Sequence, residues 1–126
     1  FIEGLKDLLD RMSDKKIIFV LENPTLTFDP KNCGSARLLN FFSQKCSIGR
    51  DVDDTIHRTY IQKTSELLGR YENVILVDPR DVFCDKNECF AEKSGRIFYG
   101  DRNHLNHIGS FIQGKQISQA FNNFVE

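Results

Sequence analysis

A chain of 126 residues is long enough for one domain, and we expect residues 1–126 to form a single domain. The formal net charge of -1 gives no electrostatic basis for a nucleic-acid partner. The longest apolar run, Ile17 to Leu21, is far too short to cross a bilayer.

The N-terminal third of the chain predicts a helix followed by a buried strand. Apolar residues recur at helical spacing over residues 2–12, which indicates an amphipathic helix. The β-branched and aromatic run at residues 16–22 is typical of a parallel strand covered on both faces, and Asn23-Pro24 ends it. Residues 25–48 are polar and irregular, with room for a short helix over residues 35–43.

The middle of the chain repeats this order. A second helix is predicted over residues 53–70, with Asp53 or Asp54 as its N-cap. His57 lies off the apolar stripe of this helix, so we expect it to face solvent. Residues 73–78 predict a second buried strand, and the alternation of helices and strands is typical of a parallel α/β sheet.

The C-terminal part predicts a hairpin and a last helix. Residues 88–91 and 96–99 are expected to pair around Lys93-Ser94-Gly95. The helix is predicted over residues 107–124 and should bury its apolar positions, Ile108, Phe111, Ile112, Ile117, Ala120, Phe121 and Phe124. Two strands alone are a poor core for three helices, so we expect the remaining strands to lie outside this chain.

The four cysteines fall into two pairs of near neighbours. Proximity favours Cys33 with Cys46 and Cys84 with Cys89, although four cysteines allow three pairings and four free thiols remain an alternative. Persistent disulfides would place the domain outside the cytosol.

The most informative stretch is the segment from Asp101 to Gly109. Asp101 precedes His104 by three residues in a turn, and Asn106 suits the N-cap of a helix that begins at His107. A general-base histidine keeps one ring nitrogen free while the other donates to an acceptor, and an aspartate at this spacing supplies that acceptor. The simpler alternative is that Asp101 stabilises a turn and His104 is an ordinary loop histidine.

A metal site is a further alternative, because Asp101, His104 and His107 are all ligand types. Zinc requires three or four convergent ligands, and a helix that starts after Asn106 separates His107 from the other two. The sequence therefore predicts neither a metal nor any other cofactor.

The order of these features resembles the C-terminal half of an SGNH (GDSL-like) hydrolase domain. The residues that carry the resemblance are Asn23-Pro24, Asp78-Pro79, the cysteine loop 84–89 and above all Tyr99 to Gly109. More narrowly, the chain resembles the extracytoplasmic SGNH domain of membrane acyltransferase family three, whose members O-acetylate bacterial surface polysaccharides. The resemblance implies the C-terminal part of a three-layer α/β/α flavodoxin-like fold, with His104 as catalytic base and Asp101 as its orienting acid.

The family's other catalytic residues are missing from the sequence. It contains no Gly-Asp-Ser, Gly-x-Ser-x-Gly or Gly-x-Asn motif, and neither Gly34-Ser35 nor Gly109-Ser110 is typical of a nucleophile elbow. Because the chain also starts at Phe1, we expect it to be a C-terminal fragment that lacks the nucleophile-bearing blocks and is inactive alone.

The resemblance implies an acyl donor, a carbohydrate acceptor and a transmembrane acyltransferase domain in the same polypeptide. It also implies a location on the periplasmic side of the inner membrane or at the cell surface. Two alternatives remain open, a secreted SGNH esterase and a non-catalytic α/β interaction module.

Overall fold

The computed structural model describes residues 1–33 and 46–125 and shows a mixed α/β fold. The helices are α1 (Ile2–Arg11), α2 (Arg50–Leu68), α3 (Arg80–Phe83) and α4 (His107–Val125), with a 3₁₀ turn at Pro30–Cys33. The strands are β1 (Ile17–Val20), β2 (Ser47–Gly49), β3 (Val74–Val77), β4 (Glu88–Phe90), β5 (Glu92–Lys93) and β6 (Arg96–Ile97). The predicted helix over residues 35–43 lies outside the described residues.

The two predicted buried strands form a parallel pair. β1 and β3 are in register from Ile17 opposite Val74 to Val20 opposite Val77, so their carboxyl ends lie at the same edge. Leu5 and Leu9 of α1 and Leu67 and Leu68 of α2 form a core cluster against the strand face that carries Ile17, Phe19 and Val74. The alternation of side chains then sends Ile18 and Val20 to the opposite face. This arrangement confirms the α/β prediction.

The second helix begins earlier than predicted. α2 starts at Arg50, directly after β2, so neither Asp53 nor Asp54 is its N-cap. Asp53 lies inside the helix and is fully buried, and its carboxylate forms an ion pair with the buried Arg80. The capping prediction was therefore wrong, and the acidic residue has a tertiary partner instead.

The predicted hairpin is present but shorter. β5 pairs with β6 around Ser94 and Gly95, whose φ angles of 53° and 81° lie in the left-handed region that tight hairpin turns require. β4, which was assigned to the hairpin, instead pairs antiparallel with β2. No sequence pattern predicted β2, a strand of three residues.

Both predicted disulfides are confirmed, Cys33 with Cys46 and Cys84 with Cys89. Cys33 and Cys89 are buried in a core cluster that also contains Phe83, Phe98 and Tyr99. Cys33–Cys46 therefore joins the 3₁₀ turn to the residue before β2, and Cys84–Cys89 joins the end of α3 to β4.

The burial predicted for α4 is only partly correct. Gly109 is its one buried residue among those described, while Phe111 is 64% exposed and Phe121 is 54% exposed. At 100° per residue, Phe111 lies about 200° around the helix from Gly109, which explains why one contact face cannot cover both. Of the described helices, none is long and apolar enough to cross a membrane.

Gly109 lets α4 approach the strand that precedes the Asp101 turn. A Cβ atom at this position would overlap the carbonyl oxygen of Phe98. Gly109→Ala should therefore lower the free energy of unfolding by about 1–3 kcal/mol through overpacking. Gly114→Ala is the matched control, because nothing lies within 4 Å of its added Cβ and the better helix propensity should stabilise by about 0.5–1 kcal/mol. Urea unfolding measures both, and equal effects would contradict the close approach.

Candidate active site

The turn from Gly100 to His104 is closed by hydrogen bonds to one carboxylate. Asp101 Oδ1 accepts from the backbone N–H groups of Asn103, at 3.0 Å, and His104, at 2.8 Å. The Gly100 N–H also donates to the His104 carbonyl at 2.8 Å. These bonds fix the backbone of His104 relative to the carboxylate before any side-chain contact is considered.

The imidazole of His104 bonds to the same carboxylate. Its Nδ1 lies 2.8 Å from Oδ2 and 3.0 Å from Oδ1 of Asp101. An ionised carboxylate only accepts hydrogen bonds, so Nδ1 must carry the proton and donate. In the neutral ring Nε2 then keeps its lone pair, and it has no partner among the described residues. An imidazole held this way is prepared to take a proton from a hydroxyl group.

Asp101 is exposed, and hydrogen bonds to its carboxylate favour the ionised form further. The backbone N–H groups of Asn103 and His104, followed by the His104 side chain, lower the pKa of the Asp101 carboxyl to about 2 from 3.8. The acceptor of the Nδ1 proton therefore stays charged at any pH well above 2.

This lowered pKa predicts a pH-dependent contribution to stability. Because the folded-state pKa lies below the unfolded value, the stabilisation is present above the ordinary carboxyl pKa of 3.8 and is lost as pH falls toward about 2. Asp101→Asn should therefore be less stable than the parent near neutral pH, and the difference should shrink as the pH falls through this window. Urea unfolding over a pH series measures it, and a difference independent of pH would show that the charge is not involved.

His104 opens into a cleft beyond the carboxyl end of β1. The cleft has a volume of about 270 Å³ and is lined by Glu22, Asn23, Thr25, Asn103 and His104. In open parallel α/β sheets, ligand sites lie at this edge. A larger groove of about 700 Å³ lies between α1 and α2, and its lining does not include His104. The smaller cleft is the one that combines strand-end position with an acid and base pair.

Two contacts join the His104 turn to the loop after β1, and a third fixes the start of α4. The Leu26 N–H donates to the Arg102 carbonyl at 2.7 Å, and the Tyr99 hydroxyl donates to the Pro24 carbonyl at 3.0 Å. Asn106 Oδ1 accepts from the N–H groups of Ile108 and Gly109, which confirms the predicted N-cap and the helix start at His107. The turn is therefore held from both sides.

Beneath the cleft lies a buried polar cluster that the sequence did not indicate. His57, predicted to face solvent, is 5% exposed, and its Nε2 lies 3.1 Å from the Thr25 hydroxyl oxygen and 3.4 Å from Asp53 Oδ1. Arg80 Nε donates to Asp53 Oδ2 at 2.6 Å. The only signal in the sequence was the spacing of four residues between Asp53 and His57 on one helix. It does not reveal partners in other segments.

His107, the third residue considered as a metal ligand, is the exposed first residue of α4. Over residues 1–33 and 46–125, no three histidine, cysteine, aspartate or glutamate side chains are grouped to hold a metal ion. The geometry around His104 is that of an acid and base pair.

Comparison with known proteins gives one match. A family model described as an SGNH domain fused to AT3 domains matches residues 1–119. No curated protein and no solved structure shows a significant match to the chain.

Proposed function

Since the chain belongs to the family of SGNH domains fused to AT3 domains, we propose that it supplies the base and the orienting acid of a serine acyl-transfer site. The observation that carries the proposal is the pair of His104 and Asp101, bonded at 2.8 Å beside the strand-end cleft, in which Nε2 has no partner in the described part of the chain. In this assignment His104 is the general base and Asp101 holds its tautomer.

The proposed chemistry has two steps. A serine hydroxyl attacks the carbonyl carbon of an acyl ester while His104 Nε2 takes the hydroxyl proton, and Asp101 stabilises the imidazolium that forms. The proton then passes to the leaving oxygen as the acyl-enzyme forms. In the second step His104 removes a proton from the acceptor hydroxyl, whose oxygen attacks the acyl carbon. The ester bond to the serine then breaks, and His104 returns the proton to the serine oxygen.

The serine belongs to a segment outside residues 1–126 in this proposal. Within the described part of the chain β1 pairs with β3 alone, and all four β1 residues are only half-buried. A strand that ends in the nucleophile and pairs with the free edge of β1 would bring its serine to the same edge of the sheet as His104. The chain is then the C-terminal part of an SGNH domain.

The polysaccharide and the location are parts of the same proposal. We assign the acyl acceptor to a hydroxyl of a bacterial cell-surface polysaccharide, with acetyl as the group transferred and a transmembrane acyltransferase domain in the same polypeptide. Two disulfides support an extracytoplasmic location, because such bonds persist in oxidising compartments. Glu22, Asn23, Thr25 and Asn103 give the cleft the hydroxyl, amide and carboxylate groups that bind sugar hydroxyls.

The test begins with the isolated chain and p-nitrophenyl acetate. We expect no turnover above the buffer rate, because the residues present supply only the base and its orienter. The same assay on a longer protein that includes the preceding segment should show turnover that His104→Ala removes and His107→Ala keeps. Turnover by the isolated chain that disappears in His104→Ala would contradict a nucleophile outside it. No turnover in the longer protein would favour the interaction module.

A further inference from the structure

The loop after β1 is anchored at every residue. The Glu22 carbonyl accepts from Arg80 at 3.1 Å, Asn23 Oδ1 accepts from Gln113 at 3.1 Å, and the Pro24 carbonyl accepts from Tyr99 at 3.0 Å. The Thr25 N–H donates to Asp53 at 3.1 Å. Three residues of this loop, which we call the 22–25 loop, line the cleft opposite His104.

Asp53 and Arg80 lie at the base of this arrangement. Their side chains are 0% and 1% exposed, and each uses one arm for the ion pair and another for the loop. Asp53 Oδ2 accepts from Arg80 while its Oδ1 accepts from Thr25, and Arg80 Nη1 bridges to the Glu22 carbonyl and Asp78. The pair therefore holds the first and the last residue of the loop.

A buried ion pair of this kind is an inefficient way to stabilise a core. Desolvation of the two charges cancels much of their attraction, and well-packed apolar residues are often equally stable. Arg80 Nη2 is buried and has no hydrogen-bond partner within residues 1–33 and 46–125, which adds to the cost. What the pair provides and apolar residues do not is a directed set of bonds to the loop.

We propose that Asp53 and Arg80 are positioning residues that fix the 22–25 loop, and with it the Asn23 side chain, opposite His104. This inference rests on the proposed function for its catalytic consequence. The anchoring itself does not depend on that function. Asn23 has its oxygen occupied by Gln113, so its amide N–H₂ is the group that the loop presents as a donor in the cleft.

The structural part is tested in the isolated chain by NMR. In Asp53→Asn the charge on the shared carboxylate is lost, and we expect the Asn23 side-chain amide signal to shift. The Thr25 backbone amide should also shift and should exchange with solvent at least about tenfold faster, as expected for a locally opened segment. Arg80→Lys is the second variant, because it keeps a cation beside Asp53 but cannot hold both Asp53 and the Glu22 carbonyl. The control is Leu67→Ala, which weakens the same helix in the α1 and α2 core, away from the cleft.

The catalytic part is tested in the longer protein with p-nitrophenyl acetate. Asp53→Asn and Arg80→Lys should each lower kcat by roughly 10- to 100-fold, because the groups that line the cleft are misplaced. Leu67→Ala, compared at the same residual stability, should not lower kcat. Equal losses in all three would reduce Asp53 and Arg80 to a structural role. Unchanged Asn23 and Thr25 signals in both Asp53→Asn and Arg80→Lys would show that Asp53 and Arg80 do not anchor the 22–25 loop. If His104→Ala leaves turnover intact, the proposed function fails while the NMR result still decides the anchoring.

Discussion

His104→Ala in the longer protein is expected to lower kcat for acetyl transfer by about 10⁴- to 10⁶-fold, with little change in KM. In the proposed mechanism the imidazole Nε2 acts on the proton of the nucleophile in the transition state, so its removal should affect the chemical step and not substrate binding. The expected loss in kcat is large because the serine, His104 and Asp101 act together in the proposed mechanism. A serine without its base is a poor nucleophile at neutral pH.

Asp101→Asn should lower kcat by roughly 10⁴-fold. The asparagine amide can donate to Nδ1, which favours the tautomer with the proton on Nε2 and removes the lone pair that the reaction needs. His107→Ala is the matched control, since His107 is an exposed histidine three residues further along at the start of α4. A His107→Ala variant as impaired as His104→Ala, or an Asp101→Asn variant with full activity, would contradict the assigned roles.

The second large effect concerns stability. Asp53→Ala should lower the free energy of unfolding by about 3–5 kcal/mol, because it leaves the buried Arg80 cation with only the partly exposed Asp78 as a counter-charge. The same loss is expected for Arg80→Ala. Urea unfolding of the oxidised chain at neutral pH measures both.

The double variant Asp53→Leu with Arg80→Met removes the ion pair without leaving one of its charges buried and unpaired. It therefore distinguishes the loss of the ion pair from the cost of burying a single charge. We expect it to be less destabilised than the sum of the single variants, because no unpaired charge remains. Asp7→Ala, which breaks the exposed ion pair with Arg11, is the control and should change stability little. Losses in the two single variants that add up to the loss in the double variant, or an Asp53→Ala loss no larger than that of Asp7→Ala, would be inconsistent with the buried ion pair.

Features that depend on local chemistry were predictable from the sequence. Helical spacing located α1, the apolar runs located β1 and β3, and Asn106 located the start of α4. The contact between Asp101 and His104 belongs to the same class, because the two residues are three positions apart in one turn and no distant segment is needed to bring them together.

The parts that could not be predicted depend on distant partners. Asp53 was predicted to be an N-cap because an acidic residue before an apolar stripe is a helix-start signal. Its actual partner, Arg80, lies 27 residues away in the sequence, so no local pattern indicates the ion pair. His57 was predicted to be exposed because it lies off the apolar face of α2. That pattern predicts contacts with apolar neighbours, and it does not predict the polar contact with Thr25. β4 pairs with β2 across the disulfide-bearing loops, a register that no local pattern specifies.

In the proposed mechanism His104, oriented by Asp101, activates a serine supplied from outside this chain. The acyl-enzyme can be detected by mass spectrometry of the longer protein, quenched during turnover of an acetyl ester. We predict that the parent and His107→Ala carry one acetyl group on a serine that precedes Phe1, and that His104→Ala carries none. An acetyl group on a residue within 1–126, or one that forms equally well in His104→Ala, would contradict the account.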